Sequence, residues 1–181
     1  FEFERLTLVK DLFLFSCYTG LSYIDVMNLN EDNIAIGIDG GRWIITNRQK
    51  THNKVKIPIL RQAKELIEKY RFHIKTKKTK TLFPNISNQK LNAYLKEIAD
   101  LCGINKNLTF HIARHTFATT ITLSNGVPIE TVSKLLGHTK IATTQIYAKV
   151  IETKVSQDMM ELSLKMERNK KENINKNDAI G

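Results

Sequence analysis

The sequence predicts a single domain that is mainly α-helical and carries one small antiparallel β-sheet of three short strands. Two observations predict this fold class. Apolar residues recur at helical spacing over residues 6–17 and through most of residues 88–147. Residues 33–58 instead alternate or are β-branched around an Asp39-Gly40-Gly41 turn signal. The length of 181 residues, of which 41% are hydrophobic, suits one domain with a buried core.

The first third of the chain contains two predicted helices and the sheet. Residues 6–17 form the first helix, which ends at Gly20. Ser22 caps a short second helix that carries Asp25 in its first turn. The predicted strands follow at residues 34–38, 43–46 and 55–57. Because these strands are short and close in sequence, we expect them to pair as neighbouring hairpins.

The remainder of the chain is predicted to be helical apart from one loop and a tail. The predicted helices cover residues 59–72, 88–101, 110–123, 128–136, 141–147 and 153–167. Pro58 opens the first of these helices, Asn88 caps the second and Gly137 ends the fourth. The lysine- and threonine-rich residues 75–81 are predicted to form a loop. Residues 168–181 are rich in Asn and Lys and are predicted to be disordered.

Positive charge is concentrated in one part of the chain. The formal net charge is +10, and residues 42–80 contain 13 basic residues against two acidic ones, Glu65 and Glu68. A cationic stretch of this density suits a polyanion such as DNA, because each phosphate that is neutralised releases counterions. A solvated lysine surface that only keeps the protein soluble is the alternative explanation.

Composition also argues against several classes of protein. No apolar run reaches the ~18 residues that a membrane-spanning helix needs. Five charged residues within positions 2–11 argue against a signal peptide. Cys17 and Cys102 lie far apart and offer neither a disulfide framework nor a zinc-binding spacing. We therefore expect a cytoplasmic protein with reduced thiols.

Three short motifs in the second half of the chain carry residue types that can bind or attack a phosphate. His111 and Arg114 share one helix face, and His115 joins that face at i, i+4 from His111, where we interpret it as structural. His138 follows Leu-Leu-Gly at a helix C-terminus, where the helix dipole favours a cation. Tyr147 comes nine residues later. Taken singly, each motif also has an ordinary structural explanation, such as a surface residue or a half-buried tyrosine.

The order and spacing of these motifs together resemble the C-terminal signature of tyrosine recombinases of the phage-integrase family. Upstream, Tyr18-Thr19-Gly20-Leu21 followed by Asp25 looks like the first box of that family, and Lys50 looks like its β-hairpin lysine. The resemblance covers roughly residues 6–150 and extends to integrases of Bacteroides-type mobile elements. It implies a catalytic domain over residues 1–150, a C-terminal helix over residues 151–167 and a tail over residues 168–181. Because position 1 is Phe, we expect a fragment that lacks the family's N-terminal DNA-binding domain.

The resemblance implies a role for each matching residue. Tyr147 would attack the scissile phosphate and form a 3′-phosphotyrosine, which preserves the energy of the broken ester. Arg114 would clamp two phosphate oxygens, and Lys50 would protonate the departing 5′-oxygen, which an arginine could not readily do. His111 and His138 would hydrogen-bond the phosphate, and His111 could help to take the tyrosine proton. The chemistry needs neither a cofactor nor a metal, and no carboxylate cluster suggests one.

One position departs from the family pattern. The first box normally carries an arginine directly after Gly-Leu, and this chain has Ser22 there. Our hypothesis is that Arg48 substitutes, because on an extended strand it would share a face with Lys50. The alternative is that Arg48 only contacts the DNA backbone or solvent. Arg42 is a weaker candidate beside a predicted turn, and Asp25 is expected to orient the basic groups.

The expected function is that of a site-specific DNA recombinase that integrates or excises a mobile element. One alternative is a type IB topoisomerase, which shares the chemistry but relaxes DNA without choosing a sequence. The other is a DNA-binding relative that has lost catalysis, which Ser22 makes plausible. Retention of the lysine, both histidines, the arginine and the tyrosine argues against that second alternative.

The resemblance also implies partners. We expect double-stranded DNA, a homotetramer on paired DNA sites, accessory DNA-bending proteins and a place at the bacterial nucleoid, with no membrane association. The C-terminal helix could pack on a neighbouring protomer or equally on its own domain. Its apolar stripe consists of Val155, Met159, Leu162 and Met166.

Overall fold

The computed structural model describes residues 3–147, 155–156 and 158–167. Within residues 3–147 the helices are α1 (Glu4–Thr19), α2 (Tyr23–Met27), α3 (Arg61–Tyr70), α4 (Ile74–Thr79), α5 (Asn88–Leu101), α6 (Phe110–Thr116) and α7 (Ile129–Leu136). The strands are β1 (Ile34–Ile36), β2 (Arg42–Asn47) and β3 (Lys54–Pro58). Residues 155–156 and 158–167 are helical, and the predicted tail over residues 168–181 lies outside the described residues. The mainly helical fold class with one three-stranded antiparallel sheet is confirmed.

Helix α1 lies at the centre of the core. Its residues Leu6, Val9, Leu12 and Phe15 are fully buried, and α1 packs against α3, α5 and α6. Burial of each such side chain stabilises the fold by about 1.5–3 kcal/mol relative to leaving it in water. The helix ends at Gly20, whose φ of 68° lies in the left-handed region. Residues that follow Gly20 therefore turn back across the C-terminal end of α1.

Gly20 also marks a close approach between two parts of the fold. A Cβ atom on Gly20 would lie 2.5 Å from the ring of Phe117 and 3.1 Å from Leu136. The absent side chain therefore lets the backbone of residue 20 reach the segments that follow α6 and α7. This contact brings the Gly20 carbonyl to the place where the candidate site forms.

The sheet has the order β1-β2-β3, with both pairs antiparallel. In the register Ile44 is opposite Ile57, and Thr46 is opposite Val55. Ile44, Val55 and Ile57 are buried on the inner face, whereas Lys54 is exposed on the other face, as the two-residue period of a strand requires. Strand β3 packs on α7 and thereby carries the β2–β3 turn to the C-terminal end of that helix.

The structure corrects the predictions for residues 58–81. Pro58 does not open a helix, because it pairs with Trp43 as the last residue of β3. A proline is tolerated there since an edge strand loses no ladder bond through it. Residues 75–79, which were predicted as part of the loop over residues 75–81, belong to α4 (Ile74–Thr79). The Nδ1 atom of His73 caps this helix by accepting from the N–H of Lys75 at 3.2 Å.

Smaller corrections apply to three of the later elements. Ser87 rather than Asn88 caps α5, since the Ser87 hydroxyl accepts from the N–H of Lys90 at 3.4 Å. The predicted helix over residues 110–123 is α-helical only to Thr116 and continues as a π-helical segment, Phe117–Thr122. The predicted helix over residues 141–147 consists of two short 3₁₀ turns, Ile141–Thr143 and Gln145–Tyr147. The last of these turns presents Tyr147 to the segment after α6.

Candidate active site

Two buried arginines converge on one backbone carbonyl group. Arg114 of α6 donates from Nη1 to the Gly20 oxygen at 2.7 Å, and Arg48 lies with its Nη1 atom 3.5 Å from the same oxygen. Arg48 is 7% exposed and Arg114 is 8% exposed. Burial of two adjacent cations is costly without compensation, so this point of the fold is built to receive negative charge.

Arg114 is also bonded to the C-terminal end of α7. Its Nη2 atom donates to the Leu136 oxygen at 2.6 Å and lies 3.0 Å from Nε2 of His138. A guanidinium can only donate, so Nε2 must accept and the proton of the ring must sit on Nδ1. Nδ1 then donates to the hydroxyl of the fully buried Thr144 at 2.8 Å. The structure therefore assigns the tautomer of His138.

The pKa values in this cluster follow from burial and from the two guanidinium groups. Burial, and then the charges of Arg114 and Arg48, lowers the pKa of His138 to about 4, so the ring is neutral at pH 7. Burial, and then the neighbouring Arg48, lowers the pKa of Arg114 to about 10, which still leaves Arg114 cationic. The cluster at neutral pH thus contains two cations and a neutral imidazole.

Asp25 supplies part of the compensating charge. Its carboxylate is 4% exposed and lies 3.1 Å from Nη1 of Arg48. The carboxylate also accepts from the hydroxyl of Ser22 at 2.5 Å and from the N–H of Gln49 at 2.9 Å. Burial lowers the pKa of Arg48, and Asp25 opposes that shift. One carboxylate against two guanidinium groups leaves a net charge of about +1, which suits a phosphodiester.

Arg48 and Lys50 reach the site from a turn and not from the strand face that was predicted. Strand β2 ends at Asn47, and the turn that follows is closed by a bond of 2.9 Å from the N–H of Arg48 to the oxygen of Asn53. Arg48 is buried and points to Asp25, whereas Lys50 is exposed. The prediction that both residues lie at one site is retained, but the reason given for it was wrong.

Lys50 lines an open cavity of about 240 Å³ beside the two arginines. The cavity is also lined by Ser22, His111 and Arg114. Burial, and then the charges of His115, Arg114 and Lys50, lowers the pKa of His111, which favours its neutral form. The cavity therefore offers an exposed cation and an imidazole whose neutral form is favoured, next to a buried guanidinium.

Tyr147 packs at the edge of the same cluster. It is 6% exposed and belongs to an apolar cluster with Phe117, Val132 and Leu136. Its N–H donates to the Thr144 oxygen at 3.1 Å. Burial raises the pKa of the Tyr147 phenol and the charge of Arg114 opposes that shift, so a base must remove the phenolic proton.

Sequence analysis missed three contributors to this site. The Gly20 carbonyl and Thr144 are bonded to arginine and histidine side chains, and no local pattern distinguishes them. His115 was interpreted as structural, yet its ring centroid lies 5.2 Å from that of Tyr147. Its position in the same helix face as His111 was a signal that could have placed it in the site. Arg42 lies elsewhere, where its exposed side chain donates to Glu68 at 2.7 Å.

In residues 3–147, 155–156 and 158–167, no three His, Cys, Asp or Glu side chains come together as metal ligands would. No helix in that part of the chain combines the length and the apolar character that would be needed to cross a bilayer.

Comparison with known proteins relates this geometry to one family. The model of the phage integrase family matches residues 7–154. The tyrosine recombinase XerD of Halalkalibacterium halodurans is 38% identical over 147 residues, which cover 76% of this chain and 48% of the relative. The chain thus spans about half the length of the curated relatives it matches. The covered share is 48% for the XerD proteins of Listeria monocytogenes and Halalkalibacterium halodurans.

Two solved structures show the fold. The XerH site-specific recombinase, in a post-cleavage complex with its palindromic difH substrate, superposes with a TM-score of 0.67 at 18% identity, over 87% of this chain and 46% of that one. The Tn1549 transposon integrase, in complex with circular intermediate DNA, superposes with a TM-score of 0.56 at 16% identity, over 79% of this chain and 58% of that one. The fold is that of tyrosine recombinase catalytic domains.

Proposed function

The chain belongs to the phage integrase family, and on that premise we propose that it cleaves and rejoins DNA strands through a covalent 3′-phosphotyrosine at Tyr147. The observation that carries this proposal is the convergence of two buried guanidinium groups on the Gly20 carbonyl. A neutral imidazole is bonded to Arg114, and Tyr147 lies close enough to Arg114 for its charge to oppose the rise that burial causes in the pKa of the phenol. A scissile phosphodiester supplies the negative charge that this cluster lacks. Tyr147 attacks the phosphorus, and the 5′-oxygen leaves as the P–O5′ bond breaks.

Arg114 is proposed to hold the non-bridging oxygens of the phosphate. Three of the five N–H groups of its guanidinium donate to the Gly20 oxygen, the Leu136 oxygen and Nε2 of His138. These bonds orient the group before DNA binds, so little reorganisation is needed when charge develops in the transition state. The phosphate takes the other N–H groups and raises the proton affinity of His138. Once Nε2 is protonated, it gives up the bond that it accepts from Arg114 and donates to the phosphate instead.

Proton transfer is divided between the exposed lysine and the histidine of the cavity. Lys50, on the β2–β3 turn, is proposed to protonate the departing 5′-oxygen, because an ammonium group can release a proton and then be recharged. His111 is neutral at pH 7 and is proposed to accept the phenolic proton of Tyr147. Both side chains line the open cavity.

Arg48 is proposed to supply the cation that Ser22 lacks. Ser22 carries no charge, and the proton of its hydroxyl is already donated to Asp25. Arg48 is held by the same carboxylate and lies close enough to Arg114 to lower its pKa. A family member that had only lost a catalytic arginine would have no reason to bury another one at this point, which favours an active enzyme over an inactive DNA-binding relative.

The finer assignment is a site-specific recombinase that integrates or excises a mobile element. Similarity to a XerD recombinase and to a transposon integrase supports recombination over the topoisomerase alternative. Double-stranded DNA is the proposed substrate, as in the DNA complexes of XerH and the Tn1549 integrase. A Bacteroides-type element, accessory DNA-bending proteins and the nucleoid location stay predictions.

The domain division and the homotetramer belong to the same proposal. Residues 1–150 would form the catalytic domain, residues 151–167 a C-terminal helix and residues 168–181 a tail. Exposed apolar residues on the C-terminal helix favour packing on a neighbouring protomer over packing on its own domain. Their exposed fractions are 53% for Val155, 59% for Met159, 47% for Leu162 and 65% for Met166.

The proposal is tested with a nicked suicide substrate that carries the recognition site of the protein. The nick lets the short 5′-hydroxyl strand diffuse away, so the covalent intermediate accumulates and is counted on a denaturing gel. We expect an adduct with the unaltered protein and none with Tyr147→Phe. Tyr94→Phe is the matched control, because Tyr94 lies in α5, is half-buried and packs beside Arg5 of α1. An adduct that survives Tyr147→Phe, or no adduct on a verified site, contradicts the proposal.

A further inference from the structure

Three aromatic rings are linked by edge-to-face contacts that lead to the candidate nucleophile. The ring centroids of His111 and His115 are 4.9 Å apart with an interplanar angle of 81°, and those of His115 and Tyr147 are 5.2 Å apart with an angle of 79°. Both contacts are edge-to-face, which is a preferred geometry for aromatic pairs. Helical spacing of four residues puts the two histidines on one face of α6. His115 therefore joins the residue proposed as base to the residue proposed as nucleophile.

Within residues 3–147, the backbone next to Tyr147 gives the ring few other restraints. The 3₁₀ turn Gln145–Tyr147 is a single turn, and Ile146 at its centre is 66% exposed. The bond from the N–H of Tyr147 to the Thr144 oxygen anchors the main chain but does not set the direction of the phenol. Contacts with the side chains around the ring must set that direction.

Contacts around the Tyr147 ring differ in kind. Phe117, Val132 and Leu136 belong to the same apolar cluster and provide burial without direction, because hydrophobic contact is not directional. His115 adds an edge-to-face contact from α6, the helix that also carries Arg114. The position of the phenol relative to the arginine cluster is thereby tied to a rigid helix.

We propose that His115 is a positioning residue that holds the Tyr147 ring in the orientation from which its hydroxyl attacks the scissile phosphate. The proposal rests on the function proposed above, since it assumes that Tyr147 is the nucleophile. His115 acts through the shape of its ring and transfers no proton. A planar aromatic ring at position 115 therefore preserves the role, and a small side chain removes it.

The kinetic test measures single-turnover adduct formation on the suicide substrate at saturating DNA. We expect His115→Ala to lower the maximal rate by roughly 10- to 100-fold, since a misplacement of about 1 Å can cost that much, with the DNA dissociation constant unchanged. We expect His115→Phe to stay within about threefold of the unaltered protein and to keep the same pH profile. His73→Ala is the matched control, because His73 also lies next to a tyrosine, with 6.0 Å between its ring centroid and that of Tyr70, but outside the site.

A second measurement tests the contact without DNA. Fluorotyrosine is incorporated into the whole chain, and the ¹⁹F resonance of residue 147 is assigned with Tyr147→Phe. His115→Ala should move this resonance towards the free amino acid and narrow it, and His115→Phe should not. An unchanged resonance in His115→Ala overturns the contact even if the protein forms no adduct. Full adduct rates in His115→Ala, or His115→Phe as slow as His115→Ala with an altered pH profile, overturn the positioning role.

Discussion

Replacement of Arg48 tests whether this side chain takes over the role of the missing arginine. Arg48→Ala removes one of the two guanidinium groups at the Gly20 carbonyl, where the scissile phosphate is proposed to bind. Loss of one preorganised donor to a developing oxyanion costs about 2.7–4 kcal/mol, or about 100- to 1,000-fold in rate. We expect the single-turnover rate of adduct formation to fall by that factor. Arg48→Lys should lose most of this rate as well, because an ammonium group lacks the planar fork with which a guanidinium can bind Asp25 and the phosphate at once.

The same substitution has a measurable effect on stability. Breaking a buried ion pair costs about 3–5 kcal/mol when the remaining charge has no other partner. Asp25 keeps the donors of Ser22 and Gln49 after Arg48 is removed, so we expect a smaller loss of about 2 kcal/mol. For a chain of this length the loss lowers Tm by about 4–8 °C. Rates are therefore compared well below the Tm of the variant, which separates loss of fold from loss of catalysis.

Position 22 offers a direct test of substitution between the two sites. Ser22 lines the cavity of about 240 Å³ beside Arg114, and that volume can hold an arginine side chain. We expect Ser22→Arg in the Arg48→Ala background to restore the adduct rate to within roughly tenfold of the unaltered protein. Arg42→Lys is the control, because Arg42 is exposed and paired with Glu68. Full activity of Arg48→Lys would refute the reasoning.

Three further predictions concern the pH dependence, the leaving group and the backbone of the site. The pKa of His138 is about 4 in the fold against 6.5 for the free side chain, so the unfolded state binds more protons between these values and stability falls as the pH drops from 6.5 to 4. The Tm of His138→Gln should therefore depend less steeply on pH across that window. An identical dependence of Tm on pH would contradict the assignment. Lys50→Ala should slow adduct formation by about 100- to 10,000-fold. A substrate with sulfur in place of the 5′-oxygen should recover most of the lost rate, because a thiolate leaves without a proton. If the rate does not recover, Lys50 is not the acid. Gly20→Ala should lower the free energy of unfolding by about 3 kcal/mol or more, since its Cβ would lie 2.5 Å from the Phe117 ring at a φ of 68°. Gly40→Ala is the control and should cost about 1 kcal/mol, since Gly40 has a φ of 72° and no atom within 4 Å. Equal losses in denaturant titrations would count against the close approach at Gly20.

Helix and strand positions could be predicted where the local pattern of residues agreed with the tertiary fold. The helical spacing of Leu6, Val9 and Leu12 predicted α1 because those residues face the core. Prediction failed at Pro58 and at residues 75–81. Pro58 looked like a helix start but lies at the end of an edge strand, and a cap from His73 turns the lysine-rich stretch into α4. In both cases a contact outside the segment's own residues decides its structure: the pairing of Pro58 with Trp43, and the cap from His73. Secondary-structure propensities of single residues do not include such contacts.

The sequence by itself determined the family and the residue types of the site, because motif order along the chain is a one-dimensional property. Tertiary structure alone decided how those residues act on each other. Arg48, Asp25 and Gly20 lie in three segments that are far apart in the chain, and their contacts depend on packing. The tautomer of His138 and the burial of Tyr147 were decided in the same way. Charge, proton position and ring orientation depend on distances of a few ångströms between residues far apart in the chain, and only the folded core sets those distances.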